Sequence, residues 1–398
     1  MSTFAYLSSG RFAAATCDPA RPFGLAGIAW DGSVTNRPGA RFGPRAIREA
    51  SSMLCDAHHP HFDTQLAGQL CDWGDLPLPN TSLERMREAL APRLAELIRG
   101  QHMVFLGGDH SITLPILRAH RLQAGQPLAL IHFDAHCDTW TDHFGEPSGH
   151  GTWVYEAIRE GLVRTDCCVQ LGTRSSAERA AREFVADQGG LIVNARQLRG
   201  QVSPEQLAPV LGQIRQRMKA AGHPPLYLSF DIDALDPAFA PGTGTPEPGG
   251  LSTAQVFSFI EELADLNFVG MDCVEVAPAY DHAELTSYAA AQIVWTYLCG
   301  RIALSMRSPE NAPDQLCGRR RSSGPICAGA SPGFPARRWP WPPPRWMPLQ
   351  LKIDLAGKPR SIAVLCSPYK TFASLAAVPH RGDPGWLVAS AAAHAVAS

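Results

Sequence analysis

The sequence predicts an α/β fold, a parallel sheet with helices on both faces. Three observations carry this expectation. Short apolar runs alternate with longer amphipathic stretches through the first 305 residues, the order that feeds parallel strands through helical crossovers. Several runs are apolar without a break, as in strands covered on both sides. Polar clusters follow directly on four of them, where an open parallel sheet binds its ligands.

The strand candidates are GLAGIAW (24–30), HMVFL (102–106), PLALIHF (127–133), CVQLG (168–172), LIVN (191–194), PLYLSF (225–230) and FVGMDCVEV (268–276). Between them, residues 82–100 space Leu83, Met86, Leu90, Leu94 and Leu97 at three or four, the period of a helix with one buried face. That helix ends on Gly100 and has Pro92 inside it as a potential kink. Residues 203–222 begin with a Ser cap, have Glu205 nearby and stop at a glycine. Residues 252–266 begin with another Ser cap, and 283–298 form a last apolar helix. No internal repeat or linker interrupts 1–305, so this stretch reads as one domain.

Composition changes near residue 305. Residues 306–398 hold 14 of the 34 prolines, with 12 basic against 4 acidic side chains, which leaves the first 305 residues with 23 basic and 33 acidic. The tail is expected to be irregular and largely disordered, with only LKIDL and SIAVL strand-like. Its abrupt onset also suggests a shifted reading frame or lost stop without selected structure.

The net charge of −2 offers no footprint for nucleic acid or an acidic membrane surface. No apolar run is long enough to span a membrane, and the N-terminus lacks the basic start and apolar core of a signal peptide. The eleven cysteines are scattered without a CxxC pair, as free thiols in a reducing, cytoplasmic compartment would be.

The chemistry lies at the strand ends. GGDHS follows HMVFL with Asp109 and His110, and HFDAHCD continues PLALI with Asp134, His136 and Asp138. DIDALDP follows PLYLSF with Asp231, Asp233 and Asp236, and Glu275 closes the last run. Residues two apart on an extended chain share a side, so Asp134, His136 and Asp138 converge, as do Asp231 and Asp233. Ala135 and Cys137 then point away. Carboxylates this close raise one another's pKa, and burial opposes their ionisation, so a cation is required. Four carboxylates and two imidazoles suit Mn²⁺ better than a structural Zn²⁺, and six donors fit two ions about 3.5–4 Å apart. Such a pair makes hydroxide available near neutral pH, which points to hydrolysis of a poor electrophile. His58, His59 and His61 read as surface residues of a polar loop.

Together GGDHS, HFDAHCD and SFDIDALDPAFAPGTGTPEPGGLS resemble the ureohydrolase family, the arginases and agmatinases, over roughly residues 24–303. TNRPGARFGPRAIREAS (35–51) and MDCVEVAPAYDHAELTSYAAA (271–291) belong to the likeness. The resemblance implies an arginase-like three-layer α/β/α fold and a di-manganese centre that hydrolyses a small guanidino substrate to urea and an amine. It also implies a homo-oligomer, trimer or hexamer. By the same resemblance His110, Asp134, Asp138 and Asp231 hold one ion. Asp134, His136, Asp231 and Asp233 hold the other, with Asp134 and Asp231 bridging. Asp138 orients the attacking hydroxide, His150 shuttles protons, Glu275 receives the guanidinium, and Asp236 is structural.

Arginases have an Asn two residues after the last Asp of the DAHxD motif, where this chain has Trp140, so free arginine is disfavoured. The loop through HGTWVYEAIREGL looks like agmatinases, which hydrolyse agmatine to putrescine and urea. Asp142 and Glu146 are candidates to attract the distal ammonium, and Trp140 or Phe144 to line the methylenes. The alternatives are a guanidino-acid amidinohydrolase and a non-catalytic metal-binding homologue. Every motif lies within 1–305, so these residues expressed alone should fold and release urea. Loss of folding or activity on truncation would show that the tail is part of the enzyme.

Overall fold

The computed structural model describes residues 10–54, 58–142 and 144–307, together with Ala373–Ser374 and Ala392–Ala393. The chain divides into two units, Met1–Gly318 and Arg319–Ser398. In the second, a two-residue antiparallel pairing is described; Met306 and Arg307, the first two residues of the expected irregular tail, are helical, and the rest of it lies outside the described residues.

In chain order the strands of the first unit are β1 (Phe23–Ile28), β2 (His58–His59), β3 (Thr64–Gln65), β4 (Leu70–Asp75) and β5 (His102–Gly107). Then come β6 (Leu128–Phe133), β7 (Val163–Leu171), β8 (Leu191–Val193), β9 (Leu226–Asp231) and β10 (Phe268–Val274). The helices are α1 (Gly43–Ala50), α2 (Leu83–Gly100), α3 (Thr113–Ala124), α4 (Trp153–Arg159), α5 (Arg179–Arg182) and α6 (Phe184–Asp187), then α7 (Pro204–Ala220), α8 (Thr253–Glu262) and α9 (Leu285–Arg307). Eight strands form one sheet in the order β4-β1-β5-β10-β9-β6-β7-β8. Every pairing in it is parallel. The three-layer α/β/α expectation holds.

The uninterrupted apolar strands have the reason anticipated. Val104 and Leu106 of β5 pack into one core with α1, α7, α8 and α9, while Met103 and Phe105 pack into a second with α2, α3 and α4. Successive residues of a strand point to opposite faces, so a sheet buried on both sides must be apolar at every position.

Helix boundaries follow local chemistry. The Ser82 side chain accepts from the Arg85 N–H and starts α2, which continues through Pro92 to Gly100. Ser203 and Ser252 form capping boxes with Gln206 and Gln255, so Gln206 rather than Glu205 completes the cap of α7. Helix α9 runs nine residues beyond the expected end at 298.

One expectation is corrected, and one strand has no counterpart in the sequence reading. His59 is buried, with Nε2 3.3 Å from Thr296 Oγ1 and its ring against Trp295 and Phe62, whereas His58 and His61 are exposed. The edge strand β4, LCDWGD, has no apolar run to announce it. Its Asp72 is fully buried, accepts from Arg48 Nε at 2.9 Å and Nη2 at 3.1 Å, and also takes the Phe12 N–H at 2.8 Å. This pair ties α1 to the sheet edge. Replacing Arg48 by Met leaves Asp72 buried without its counter-charge and should cost about 3–5 kcal/mol of stability in urea unfolding. A loss under about 1 kcal/mol would show that the pair is not needed to hold the edge.

Candidate metal centre

The four central strands β5, β10, β9 and β6 are neighbours, and each ends in the polar residues singled out above. The GGDHS turn brings the chain against Trp30, whose carbonyl oxygen would lie 1.6 Å from any Cβ at Gly108, so no side chain fits there. Asp109 then accepts from Ser111 N–H at 3.0 Å and Ser33 N–H at 2.8 Å, which makes it a tie between loops. His110 follows at the rim.

His110 Nδ1 lies 3.1 Å from Asp134 Oδ2, 3.2 Å from Asp138 Oδ2 and 3.1 Å from Asp231 Oδ2. His136 Nδ1 lies 3.2 Å from Asp134 Oδ1 and 3.1 Å from Asp233 Oδ2. Asp134 is therefore shared between two groups, His110–His132–Asp134–Asp138 and Asp134–His136–Asp233, each with donor atoms close enough to hold one ion. Asp231 stands outside both groups but faces His110, and its Oδ1 accepts the Asp233 N–H at 2.8 Å. Asp138 is held with φ of 52°, a conformation that non-glycine residues rarely adopt, and its Oδ2 accepts the Trp153 indole N–H at 2.7 Å.

Burial alone would lower the His110 pKa, but Asp134, Asp138 and Asp231 outweigh it and hold it well above the usual histidine value. His136 is likewise raised against its burial by Asp233 and Asp134. Burial and the neighbouring carboxylates Asp233 and Asp134 push Asp231 well up. The donor set fits a bound cation on geometry. A single proton on His110 Nδ1 serves one acceptor well, yet three carboxylate oxygens converge on that nitrogen. A divalent ion among the same four atoms would satisfy them together. The groups contain oxygen and nitrogen donors and no thiol.

Beside this cluster stands a second arrangement. Glu275, also at positive φ (64°), accepts from the His110 N–H at 2.9 Å and faces His150 Nδ1 at 3.0 Å through Oε1. Its Oε2 is buried without a hydrogen-bond partner among the described residues. His150 Nε2 lies 2.9 Å from Thr35 Oγ1, and the Glu275 carboxylate raises its pKa to about 9 against the effect of burial. His110, Asp138 and His150 line a cavity of about 420 Å³ together with Trp140, Asp142 and Glu247. Phe144 is at the same mouth, 88% exposed. Glu146 is not: it lines a separate groove with residues of α2 and α3.

Sequence reasoning missed the support beneath the rim. Gln170, His132, Ser229 and Asp272 are register partners across β7, β6, β9 and β10, forming one buried polar row. His132 Nε2 lies 2.7 Å from Asp134 Oδ2, and Gln170 donates to the Cys137 carbonyl while facing His132 Nδ1 at 3.2 Å. Ser229 Oγ lies 2.8 Å from His110 Nε2 and donates to Asp272 at 2.7 Å. The row leaves His110 Nδ1 directed at the carboxylates, as outer partners of metal-binding histidines do.

A model of the arginase family matches residues 21–300. The chain is 43% identical over 285 residues to an agmatinase of Chromobacterium violaceum, covering 69% of this chain and 82% of the relative. The chain belongs to the arginase family. The crystal structure of a hypothetical agmatinase from Burkholderia thailandensis aligns at a TM-score of 0.66 and 36% identity, over 74% of this chain and 91% of that one. Proclavaminate amidino hydrolase from Streptomyces clavuligerus aligns at 0.68 and 33%, over 75% and 99%. The resemblance read from the motifs holds, and with it the ureohydrolase class of enzyme and the family's dependence on a binuclear metal site. Among the described residues no helix is long and apolar enough to cross a membrane.

Divalent metal should therefore raise the melting temperature of chelator-treated protein. Asp134→Ala removes the carboxylate common to both groups and should abolish most of that rise. Equal stabilisation of variant and parent would place the ions elsewhere.

Proposed function

We propose that this protein hydrolyses agmatine to putrescine and urea with two Mn²⁺ ions. The observation that carries the reading is the buried Glu275 Oε2, which has no hydrogen-bond partner among the described residues, on a side chain whose other oxygen accepts the His110 N–H. Glu275 is 1% exposed and is not among the residues lining the cavity, so the reading requires the guanidinium to reach past His150, which lines the cavity and contacts Glu275 at 3.0 Å, before that oxygen takes an N–H. The agmatinases among the relatives support the choice of substrate.

His110, Asp134, Asp138 and Asp231 would hold one ion and Asp134, His136, Asp231 and Asp233 the other. When bound, the ions supply Lewis acidity and lower the pKa of water. The protein's own groups do the rest. Glu275 holds the guanidinium with its carbon facing the rim, and its charge offsets that of the substrate. Water oxygen adds to that carbon, and the bond from carbon to the alkylated nitrogen then breaks. Asp138, positioned by the Trp153 indole, carries the water proton to the departing amine. His150, linked to Glu275 and Thr35, exchanges protons with solvent at the cavity mouth. Trp140, which lines the cavity, would pack against the methylene chain, where the amino-acid end of arginine would need polar partners.

Urea release from agmatine, 4-guanidinobutyrate and arginine by the Mn²⁺-loaded protein tests this directly. Agmatine should be preferred, and Glu275→Gln should lower kcat/KM for it by about 10²-fold or more. Preference for the guanidino acid would move the assignment to an amidinohydrolase of that class. No urea from any of the three would leave a metal-binding homologue.

A further inference from the structure

Resting on the agmatine reading, we propose that Glu247, in the loop GTGTPEPGG, is the residue that recognises the substrate's distal ammonium. Besides Asp138 and Asp231, already placed in the metal cluster, the cavity is lined by two carboxylates, Asp142 and Glu247, and their settings differ. Asp142 is exposed and its Oδ1 accepts the Gly145 N–H at 3.1 Å, so this carboxylate closes its own turn. Glu247 sits on backbone fixed from two sides. Arg174 donates to the Glu247 carbonyl through Nε at 3.0 Å and Nη2 at 2.6 Å, and the same guanidinium binds the carbonyls of Asp233 and Ala234 at the end of the β9 segment. Asp236 accepts the N–H groups of Gly249 and Gly250 at 2.7 and 2.9 Å. The Glu247 side chain itself is 36% exposed, and its nearest ionic neighbour is His136 Nε2 at 3.9 Å. It is thus a negative charge on a rigid wall, within reach of solvent and of the cavity.

The reach is right for a four-carbon diamine. Earlier in the same loop a Cβ on Gly244 would lie 3.7 Å from Glu275 Oε2, the oxygen assigned to the guanidinium. Glu247 is three positions after Gly244, a span of at most about 10 Å. Extended agmatine places its ammonium roughly 7 Å from the guanidinium carbon, by summed bond lengths. That bound is long enough for one loop to reach both ends of the substrate. A carboxylate held in advance binds an ammonium with less ordering cost than one on a turn that must open.

The test uses the metal-loaded full chain with agmatine, n-butylguanidine and 4-guanidinobutyrate. These share the guanidinium and carry a positive, neutral or negative far end. Glu247→Gln should raise the agmatine KM about tenfold or more and leave n-butylguanidine within about twofold. Glu247→Asp should recover part of the agmatine effect, and Asp142→Asn should alter all three substrates alike. Thermal melting of each variant checks the fold. A uniform loss across the substrates in Glu247→Gln, or a larger agmatine-selective loss in Asp142→Asn, would overturn the assignment. Wild-type protein that turns over n-butylguanidine but not agmatine would also overturn it while sparing the ureohydrolase class. Absence of urea from all three would overturn the underlying reading as well.

Discussion

Four carboxylates buried within a few ångströms of one another set the terms for the rest of this structure. Asp134, Asp138, Asp231 and Asp233 are each under 5% exposed, and like charges in such a place cannot all ionise without a compensating cation. Imidazoles supply part of it, with His110 facing three of the four and His136 two. The convergence of three oxygens on one nitrogen exceeds what one proton can satisfy, which makes the rim a site built for multivalent charge. Folding and metal uptake are coupled in such a site, because the same ion that performs chemistry removes the repulsion.

The sheet makes that concentration of charge possible. A parallel sheet aligns the carboxyl ends of its strands, and the four central strands are those that end in the polar cluster, β5, β6 and β9 with the candidate metal donors and β10 with Glu275. Both faces are packed with apolar side chains, so the strand ends are fixed and the donors need little rearrangement. The apolar packing gives way in one row, Gln170–His132–Ser229–Asp272, where each polar group meets another or meets the rim. Positive φ at Asp138 and Glu275 shows local backbone strain at the same place, held by surrounding hydrogen bonds.

Much of this was legible in the sequence because it is written locally. Apolar runs mark strands without knowledge of strand order and account for seven of the sheet's eight strands, and DxHxD and DxD mark the ends of two of them, β6 and β9. What escaped depends on partners far along the chain. Strand β4 reads as polar because Asp72 is neutralised by Arg48, 24 residues away in sequence. His132 reads as a strand residue until register sets it beside Ser229 and Gln170. Helix α9 passes Gly300, which looks like a stop; there a Cβ would lie 2.9 Å from that of Ala264, so the glycine serves close packing. Glu146 was grouped with Asp142 by proximity in sequence, but the chain turns through positive φ at Phe144 and Gly145 and sends it to another groove. Glu247 escapes sequence reading because a carboxylate in a glycine-rich turn has no periodic signature; the hold on its backbone comes from Arg174 and Asp236.

The central claim is that the rim is a two-ion site, and metal content tests it most directly. The protein should be stripped with chelator, reloaded with Mn²⁺, desalted and analysed by elemental mass spectrometry against protein concentration. The account predicts two Mn²⁺ retained per chain. One ion or none retained would contradict it, since a single ion cannot serve both groups that share Asp134.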